Sequence, residues 1–360
     1  MSPWRDLSRE LTGALALVAP GTGLRDAIDN IIWARNGALI VVSNPRRLER
    51  LNLISGGMEI ETEFTPMRLY ELAKMDGAII VSPDVSYIHY ANVQLTPDPT
   101  LSSEETGLRH LAGHRTAQQT GDLVVVVSER RRVVSLYRGT YGPHVLEDIG
   151  VVLSKANSAL ATLEKYTRRL REETRVLTIH EYDGAVTLRE IVGAIATFEY
   201  SVRIAEEIEY YVRELGREGR LVEMQLEQAF HNVPEQYDAL IRDYAEESVD
   251  LLEIRMCLRG LSNEELSDPV EIAQSLGYTS VGPLEEFFLK PRGYRQLVRV
   301  PRLPGRVAEK LIEEFGTLRE LLEATEEDLD EVEGVGQARA RAIRRNLRRQ
   351  RSLGSPEEIL

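Results

Sequence analysis

The spacing of apolar residues changes near residue 145, and this change limits the chain to folds with separate parts. Before it, short apolar runs bounded by turn residues predict strands at Ala38–Val42, Ala78–Val81 and Leu123–Val127. Helical patterns lie between the strands, with a first helix expected to be capped by Ser2-Pro3 and another helix over residues 109–119. Such a mixture is typical of an α/β or α+β layered domain built about a sheet.

The rest of the chain has a different pattern. From about residue 149 to 285 apolar residues recur at helical spacing, which indicates a bundle of long helices acting as a spacer or oligomer stalk. From about residue 291, two turns rich in proline and glycine, Pro301–Gly305 and Val332–Gly336, each lead into a helix. A chain of 360 residues is long enough for three domains. We therefore predict domains at 1–147, 148–290 and 291–360.

Composition narrows the function classes. The net charge of -14 excludes a protein that coats nucleic acid with its whole surface, although a local basic patch remains compatible with it. The single cysteine, Cys257, can form no internal disulfide, and its helical context predicts buried packing. No apolar run approaches the roughly 20 residues that span a bilayer, and Arg5, Asp6 and Arg9 interrupt any signal peptide. We expect no membrane partner and a cytoplasmic location.

The tail has features of a DNA-binding module. Gly334 and Gly336 allow a tight hairpin whose backbone N–H groups and following helix N-terminus can hold a phosphate. The turn that ends at Gly305 looks like a degenerate first copy. The helix behind the second turn supplies cations, among them Arg339, Arg341, Arg344 and Arg345. These features favour DNA binding through shape and phosphate over the alternative, a plain helical hairpin with a solvated arginine face.

Two short stretches in the first part contain residue types that nucleotidyl transfer requires. Asp76-Gly77-Ala78 places a carboxylate and a glycine at the head of an apolar strand, and Gly107-Leu108-Arg109-His110 places basic groups behind another glycine. A carboxylate can hold a metal ion, and a basic cluster can hold phosphate. Taken alone, however, these residues are more often a turn before a strand and a solvated first helical turn. Walker A, G-x-G-x-x-G and G-x-S-x-G signatures are all missing from the sequence.

An ordered series of short motifs changes that balance, because the same series occurs in one known family. The motifs are Pro20–Arg25, Gly37–Ile40, Gly56-Gly57, Lys74–Ala78, Ala91–Leu95, Pro97–Pro99, Glu105–Gly107, Gln119–Gly121, Val127-Ser128, Glu214–Gly216, Gly219-Arg220, Arg292–Arg295 and Pro301–Pro304. On these motifs, the chain resembles the DNA-integrity-scanning diadenylate cyclases over nearly its full length. The resemblance implies a mixed-sheet nucleotide-binding cyclase domain, a helical spine and a C-terminal tandem helix-hairpin-helix domain like those of DNA-repair proteins.

The resemblance also implies a chemistry. Two ATP molecules are condensed into cyclic di-AMP and two pyrophosphates between facing subunits of a homo-octamer, and branched DNA or a Holliday junction lowers the activity. Asp76 would hold Mg²⁺ or Mn²⁺, and Gly77 and Ala78 would let the ribose approach. The implied nucleoside pocket contains Gly56, Gly57 and Leu95. The implied phosphate-side residues are Gly107, Leu108, Arg109, His110, Leu111, Ala112, Ser128 and Arg131, of which Arg109 and His110 complete the catalytic set with Asp76, Gly77 and Ala78.

The phosphate-side motif departs from the family pattern. The family has Gly-Thr-Arg-His-Arg followed by Thr or Ser and Ala, whereas Leu108, Leu111 and Ala112 replace polar residues here. Losing the second arginine removes a charge-assisted contact worth ~1.5–3 kcal/mol. A second fragment about one helical turn later supplies candidate substitutes, His114, Arg115 and Thr116. The alternative function is therefore a DNA-junction-binding protein whose nucleotide pocket is catalytically weak or inactive.

Overall fold

The computed structural model describes residues 9–279 and 282–354, and the expected helix cap at Ser2-Pro3 lies outside them. The chain divides into two compact units. Unit 1 consists of residues up to Ser158 together with Ile208–Met224, and unit 2 consists of Ala159–Glu207 and the residues from Gln225 onward. In the described part of the chain, no helix is both long and apolar enough to span a bilayer.

Unit 1 is built about a mixed sheet. Its helices are α1 (Arg9–Val18), α2 (Gly23–Trp33), α3 (Pro45–Arg50), α4 (Pro66–Leu72) and α5 (Leu108–Thr120). Its strands are β1 (Ala38–Val42), β2 (Ile54–Ser55), β3 (Met58–Glu63), β4 (Ala78–Val81), β5 (Tyr87–Leu95), β6 (Leu123–Val127), β7 (Val134–Arg138) and β8 (Tyr141–Leu146). The strand order is β2-β5-β4-β1-β6-β7-β8, with β3 also paired to β5. Strands β1 and β4 are parallel, and the other pairs are antiparallel.

Both faces of the central strands are covered. Every residue of β1 and β6 is buried, and successive residues of a strand point to opposite faces. Helices α1 and α2 contact β7 and β6, and α5 packs on the sheet through β6, β7 and β1. The approach of α5 is close because of Gly113, where a Cβ would lie 2.9 Å from Val126 Cγ2. The sheet therefore fixes the position of α5, whose first turn matters below.

The strong apolar strands and the helix over 109–119 were predicted correctly. Strands β2, β3 and β8 were not predicted, because their sequences lack the usual strand composition. Three glutamates alternate along β3, and β8 includes Gly142 and Pro143, residue types that weaken strands. Helix α3 was also missed: Asn44-Pro45, a motif common in turns, instead caps it, with the Asn44 side chain accepting from the Arg46 N–H.

Unit 2 is almost entirely helical. Helices α6 (Ile149–Asp183), α7 (Leu188–Leu215) and α8 (Arg220–Phe230) contribute residues to both units. The other helices are α9 (Val233–Tyr244), α10 (Leu251–Gly260), α11 (Pro269–Ser275), α12 (Tyr294–Val298), α13 (Gly305–Phe315), α14 (Leu318–Glu323), α15 (Glu326–Glu331) and α16 (Gly336–Gly354). Two short strands, β9 (Val186–Thr187) and β10 (Phe288–Leu289), form an antiparallel pair.

The helices of unit 2 bury two separate apolar clusters. One, with Phe198 stacked on Tyr237, belongs to the helical bundle, and the other, with Leu311 and Ile343, belongs to the tail. Cys257 belongs to neither, because it is exposed beside the buried stripe of α10. The prediction that Cys257 packs in a core is therefore wrong.

A buried polar network holds α12, the first helix of the tail, against α9 and α6. The Asp243 carboxylate accepts hydrogen bonds from the backbone N–H groups of Gly293, Tyr294 and Arg295 at 2.6, 2.7 and 2.8 Å. The Arg295 guanidinium is 2.9 Å from Glu181, and their side chains are 2% and 0% exposed. Charges buried this deeply require partners. The entry to the tail is thus held by specific bonds rather than by apolar contact alone.

Candidate nucleotide site and DNA-binding hairpins

An open cavity of about 700 Å³ lies in unit 1 where α5 begins. Three segments line it: Asp76 just before β4, residues 105–110 at the start of α5, and residues 126–131 at the end of β6 and in the following turn. The start of β1 pairs with the end of β6 and runs parallel to β4, so these segments meet at one edge of the sheet. The fold therefore brings the two stretches selected from the sequence into one site.

An ion pair spans the cavity. Nη2 of Arg109 lies 2.9 Å from Oδ1 of Asp76, whose side chain is fully exposed. Arg109 reaches this position because residue 37 is glycine: a Cβ on Gly37 would collide with the guanidinium. In the sequence, Gly37 is recognisable only as part of the family motif Gly37–Ile40. No local pattern shows that the side chain of Arg109, 72 positions later, fills the space beside it.

The turn after β6 adds further positive charge. Its conformation is set by the Ser128 hydroxyl, which accepts the Arg131 N–H at 3.3 Å, and by backbone bonds that close residues 128–133. Arg130 and Arg131 both line the cavity, and Arg130 was not predicted. Helix α5 begins behind Gly107, whose lack of a side chain leaves the first N–H groups uncapped. Arginines and open helix N–H groups together suit a polyanion.

A hydrogen-bonded chain of three side chains begins at the cavity, which Glu105 and His110 line, and ends at the buried Tyr137. His110 Nδ1 is 2.9 Å from the Tyr137 hydroxyl, which in turn donates to Glu105 Oε1 at 2.8 Å. Burial lowers the pKa of His110 and raises the pKa of Tyr137, which stays protonated at neutral pH. Tyr137 was absent from the predicted site, since the only signal for it was an aromatic residue in an apolar strand.

The proposed substitutes for the missing arginine do not reach the cavity. His114 is bonded through Nδ1 to the Ser103 hydroxyl at 2.8 Å, and Arg115 Nε donates to the Leu101 carbonyl at 2.8 Å. Thr116 is fully buried. These residues lie outside the cavity lining, because the loop before α5 and the sheet occupy them, and their phosphate contacts stay a prediction.

The three replaced motif positions have different surroundings. Leu108 lines the cavity and is 86% exposed, so an apolar side chain stands where the family has a hydroxyl. Leu111 and Ala112 are half-buried on α5 and lie outside the cavity lining. The altered motif therefore provides one fewer polar group at the cavity itself.

The predicted nucleoside residues lie outside the cavity lining. Gly56 and Gly57 join β2 to β3, which run end to end along β5, and both have left-handed backbones, with φ of 63° and 81°. Leu95 pairs with Ile54 at the end of β5. A nucleotide would have to extend from the cavity along this edge to meet them.

Gly77 and Ala78 have clear structural roles. A Cβ on Gly77 would collide with the backbone of Asn92 in β5, and the Gly77 N–H donates to Asn92 Oδ1 at 3.1 Å. Ala78 is buried in β4. The close approach at Gly77 is thus made by the neighbouring strand, and the ribose contact stays a prediction.

A metal ion could use Asp76 only together with other ligands. In the residues that the structure describes, no group of three or more His, Cys, Asp or Glu side chains converges. Mg²⁺ usually takes one or two carboxylates and completes its shell with water and substrate phosphates. The exposed Asp76 carboxylate fits a metal ion that arrives with a phosphate ligand.

The two turns of the tail have the same backbone design. The first turn lies between α12 and α13, and in it the Leu303 N–H donates to the Val300 carbonyl. The second lies between α15 and α16, and in it the Val335 N–H donates to the Val332 carbonyl. The third residue is left-handed in both: Arg302 with φ of 61° and Gly334 with φ of 92°. The first turn is therefore a copy of the second in which arginine occupies the left-handed position. Gly305 begins α13 instead and does not correspond to Gly334.

The predicted arginines of α16 serve different purposes. Arg339 donates to the Gly334 carbonyl, and Arg341 pairs with Glu326 of α15 at 3.3 Å. Arg344 is half-buried, whereas Arg345 is exposed. Arg339 therefore braces the hairpin, and Arg345 is exposed like Arg339 and Arg341.

Comparison with known proteins accounts for the whole architecture. Three family models match successive parts of the chain: the DisA bacterial checkpoint controller nucleotide-binding region at residues 25–141, its linker region at 146–284 and a helix-hairpin-helix motif at 300–353. The DNA integrity scanning protein DisA of Clostridium kluyveri is 44% identical over 95% of this chain and 96% of its own length. The DNA integrity scanning protein DisA of Clostridium tetani is 45% identical over 94% of this chain and 93% of its own length. This chain therefore belongs to the DNA integrity scanning protein DisA family.

Proposed function

We propose that unit 1 is a diadenylate cyclase that condenses two ATP molecules into cyclic di-AMP and two pyrophosphates. The observation that supports this most directly is the exposed Asp76 carboxylate at the rim of an arginine-lined cavity. Phosphoryl chemistry requires that charge on phosphate oxygens be neutralised and that the reacting groups be held in line. An exposed carboxylate that faces three arginines, Arg109, Arg130 and Arg131, suits the first requirement.

The roles of the residues follow from their positions. Asp76 would hold a Mg²⁺ or Mn²⁺ ion, which would supply neutralising charge and lower the pKa of the attacking 3′-hydroxyl. Arg109, Arg130 and Arg131 bind phosphate oxygens through charge-assisted hydrogen bonds, and the uncapped N–H groups behind Gly107 add backbone donors. Gly56, Gly57 and Leu95 are the proposed nucleoside contacts along the β5 edge.

This cavity offers one set of phosphate-binding residues, so we propose that another subunit holds the second ATP. In-line attack needs both nucleotides fixed face to face, and free diffusion cannot provide this alignment. We propose a homo-octamer in which facing nucleotide-binding domains form the complete sites. A monomeric form should bind ATP and release no cyclic product.

The direct test is incubation of the full-length protein with ATP and Mn²⁺, followed by chromatography for cyclic di-AMP. Asp76→Asn should abolish the product. Asp29→Asn is the matched control, since Asp29 also pairs with an arginine, Arg25, but lies on α2 away from the cavity. Product formed by Asp76→Asn at an undiminished rate would refute the role of this carboxylate.

A second candidate function is DNA-junction binding with weak or absent turnover. The observation that favours it is the placement of His114 and Arg115 away from the cavity, which leaves the second arginine unreplaced. Combining Leu111→Arg with Ala112→Thr should then raise turnover by roughly tenfold or more, the equivalent of one charge-assisted contact. No gain would show that the altered motif is not what limits the reaction.

For the tail we propose binding to branched DNA through the two hairpins, with the backbone N–H groups of each turn and following helix start holding phosphates. Replacing Gly334 by valine should weaken junction binding, because its left-handed backbone disfavours a β-branched residue. Gly260→Ala is the control, since open space surrounds that glycine. Unchanged affinity in a gel-shift titration of a four-way junction would contradict the hairpin model.

A further inference from the structure

Two cavity-lining side chains, Glu105 and His110, share one hydroxyl group. The Tyr137 oxygen lies within hydrogen-bond distance of both His110 Nδ1 and Glu105 Oε1. A tyrosine hydroxyl has a single proton to donate, and a carboxylate can only accept. Both contacts are satisfied together in just one arrangement: Tyr137 donates to Glu105 and accepts from His110.

This arrangement determines the tautomer of the imidazole. His110 must have its proton on Nδ1, and in a neutral ring Nε2 then has a free lone pair. The neutral ring is the relevant form, because burial lowers the pKa of His110. Free histidine prefers the opposite tautomer, so the protein selects the less common one.

The ring is also fixed in direction. Its Nδ1 edge points to Tyr137 on β7, and its Cδ2 atom, which adjoins Nε2, lies 3.5 Å from the position of a Cβ on Gly107. Gly107 and His110 both line the cavity. The Nε2 edge therefore faces the start of α5, where the uncapped N–H groups are.

We propose that Glu105 and Tyr137 are positioning residues that hold His110 as the Nδ1–H tautomer, with Nε2 as the nitrogen that meets bound nucleotide. The proposal deepens the proposed cyclase function and rests on it for the identity of the nucleotide. Tyr137 is suited to this task because its side chain is held by packing. It is fully buried on β7, and the His114 ring stacks on it with the ring centroids 5.3 Å apart.

The tautomer can be measured without any turnover, by two-dimensional ¹H–¹⁵N NMR of histidine-labelled full-length protein. We expect the His110 signals of the Nδ1–H form in the wild type and a shift toward the Nε2–H form in Tyr137→Phe. Adding ATP without divalent metal should move the Nε2 resonance and leave Nδ1 in place. An Nε2–H signal in the wild type, or a response at Nδ1 alone, would overturn the proposal.

Turnover gives the second readout. Hydrogen-bond partners of metal-ligating histidines typically contribute about 10–100-fold to activity, and by analogy we expect a loss of about that size in kcat for Tyr137→Phe, with a smaller change in KM for ATP. Glu105→Gln should lose less, because its amide oxygen still accepts from Tyr137. Tyr90→Phe is the matched control: Tyr90 also donates to a glutamate, Glu49, at 2.7 Å on the same sheet but outside the cavity lining.

The two readouts separate the proposal from the function on which it rests. If wild-type protein makes no cyclic di-AMP while its NMR spectrum shows the Nδ1–H form, the cyclase assignment fails and the positioning of His110 stands. If Tyr137→Phe retains both the wild-type tautomer and the wild-type kcat, the positioning role is refuted. A circular dichroism melt of each variant establishes that the compared proteins are folded.

Discussion

The guanidinium of Arg109 occupies space that any side chain at position 37 would fill. This makes the cation at the cavity depend on a residue at the start of β1, far from it in the sequence. Gly37 has no left-handed backbone to require glycine, so the absence of a side chain is what matters there.

Gly37→Ala is therefore expected to displace Arg109 without unfolding unit 1. Loss of one charge-assisted phosphate contact should weaken ATP binding about tenfold, as measured by isothermal titration calorimetry. Gly193→Ala is the control, because nothing lies near that glycine. Wild-type affinity in Gly37→Ala would mean that Arg109 does not contact the nucleotide.

Three histidines of unit 1 should make its stability depend on pH. Burial lowers the pKa of His110, His114 and His144 below the ordinary value of 6.5. On acidification the unfolded chain takes up these protons first, so the stability present above pH 6.5 is lost as the pH falls toward the folded-state values. Thermal melts between pH 7.5 and 5.5 should show this decline, and His144→Gln should flatten it. An equal loss of stability in His144→Gln would show that other groups cause the decline.

At this scale the sequence indicated part of the charged set and none of its supports. The chemistry of metal and phosphate binding pointed to Asp76 and Arg109, and the family resemblance added Arg131. The supporting roles of Gly37 and Tyr137 could not be predicted, because they arise from contacts between distant segments that no spacing rule encodes. The position of Arg115 could not be predicted for the same reason, since its bond to Leu101 depends on the path of an irregular loop.

Among the elements, the short helix α12 has three backbone N–H groups bonded to one buried carboxylate at its start. Asp243 accepts three backbone N–H groups there, and Arg295 pairs with Glu181 in the interior. The family motif Arg292–Arg295 contains several of these donors, which gives it a structural explanation independent of DNA.

Arg295→Met should destabilise unit 2 by about 3–5 kcal/mol, because it leaves Glu181 buried without its cation. The measurement is urea unfolding followed by circular dichroism. Arg319→Met provides the contrast, since its pair with Glu323 is exposed and such pairs contribute about 1 kcal/mol or less. Equal effects of the two substitutions would show that the buried pair is not the stronger one.

The helices and the apolar strands of the sheet were predictable because their periodicity is set by local burial. The edge strand β3 was not, since its glutamates suit an exposed edge rather than a core. The tandem hairpins were predictable as a pair, yet the left-handed arginine at 302 was not, because arginine gives no signal for that backbone.

Considered as a whole, the molecule is acidic and yet has a basic helix. Its net charge is -14, and α15 is acidic, whereas α16 is rich in arginine. Opposite charges on neighbouring elements confine any attraction for DNA to a small surface. Non-specific attraction to nucleic acid should consequently be weak at a distance and depend on close contact.

Junction binding by the full-length protein should accordingly weaken steeply with salt, with the logarithm of affinity falling linearly against the logarithm of salt concentration. Arg345→Ala should reduce that slope by about one, because one phosphate contact is lost. Arg319→Ala, on α14, should leave the slope unchanged. Fluorescence anisotropy with a labelled four-way junction measures both, and identical slopes for wild type and Arg345→Ala would contradict the role of Arg345.

The ion pair between Asp76 and Arg109 couples the proposed metal-binding group to a proposed phosphate-binding group. A metal ion arriving alone must take the carboxylate from Arg109, and a triphosphate arriving alone must take the guanidinium from Asp76. Each leaves behind a charge without its partner. A metal–triphosphate complex replaces both partners in one event, so each component raises the affinity for the other. Under the proposed function, the Asp76–Arg109 pair would therefore favour a metal–triphosphate complex over either component by itself.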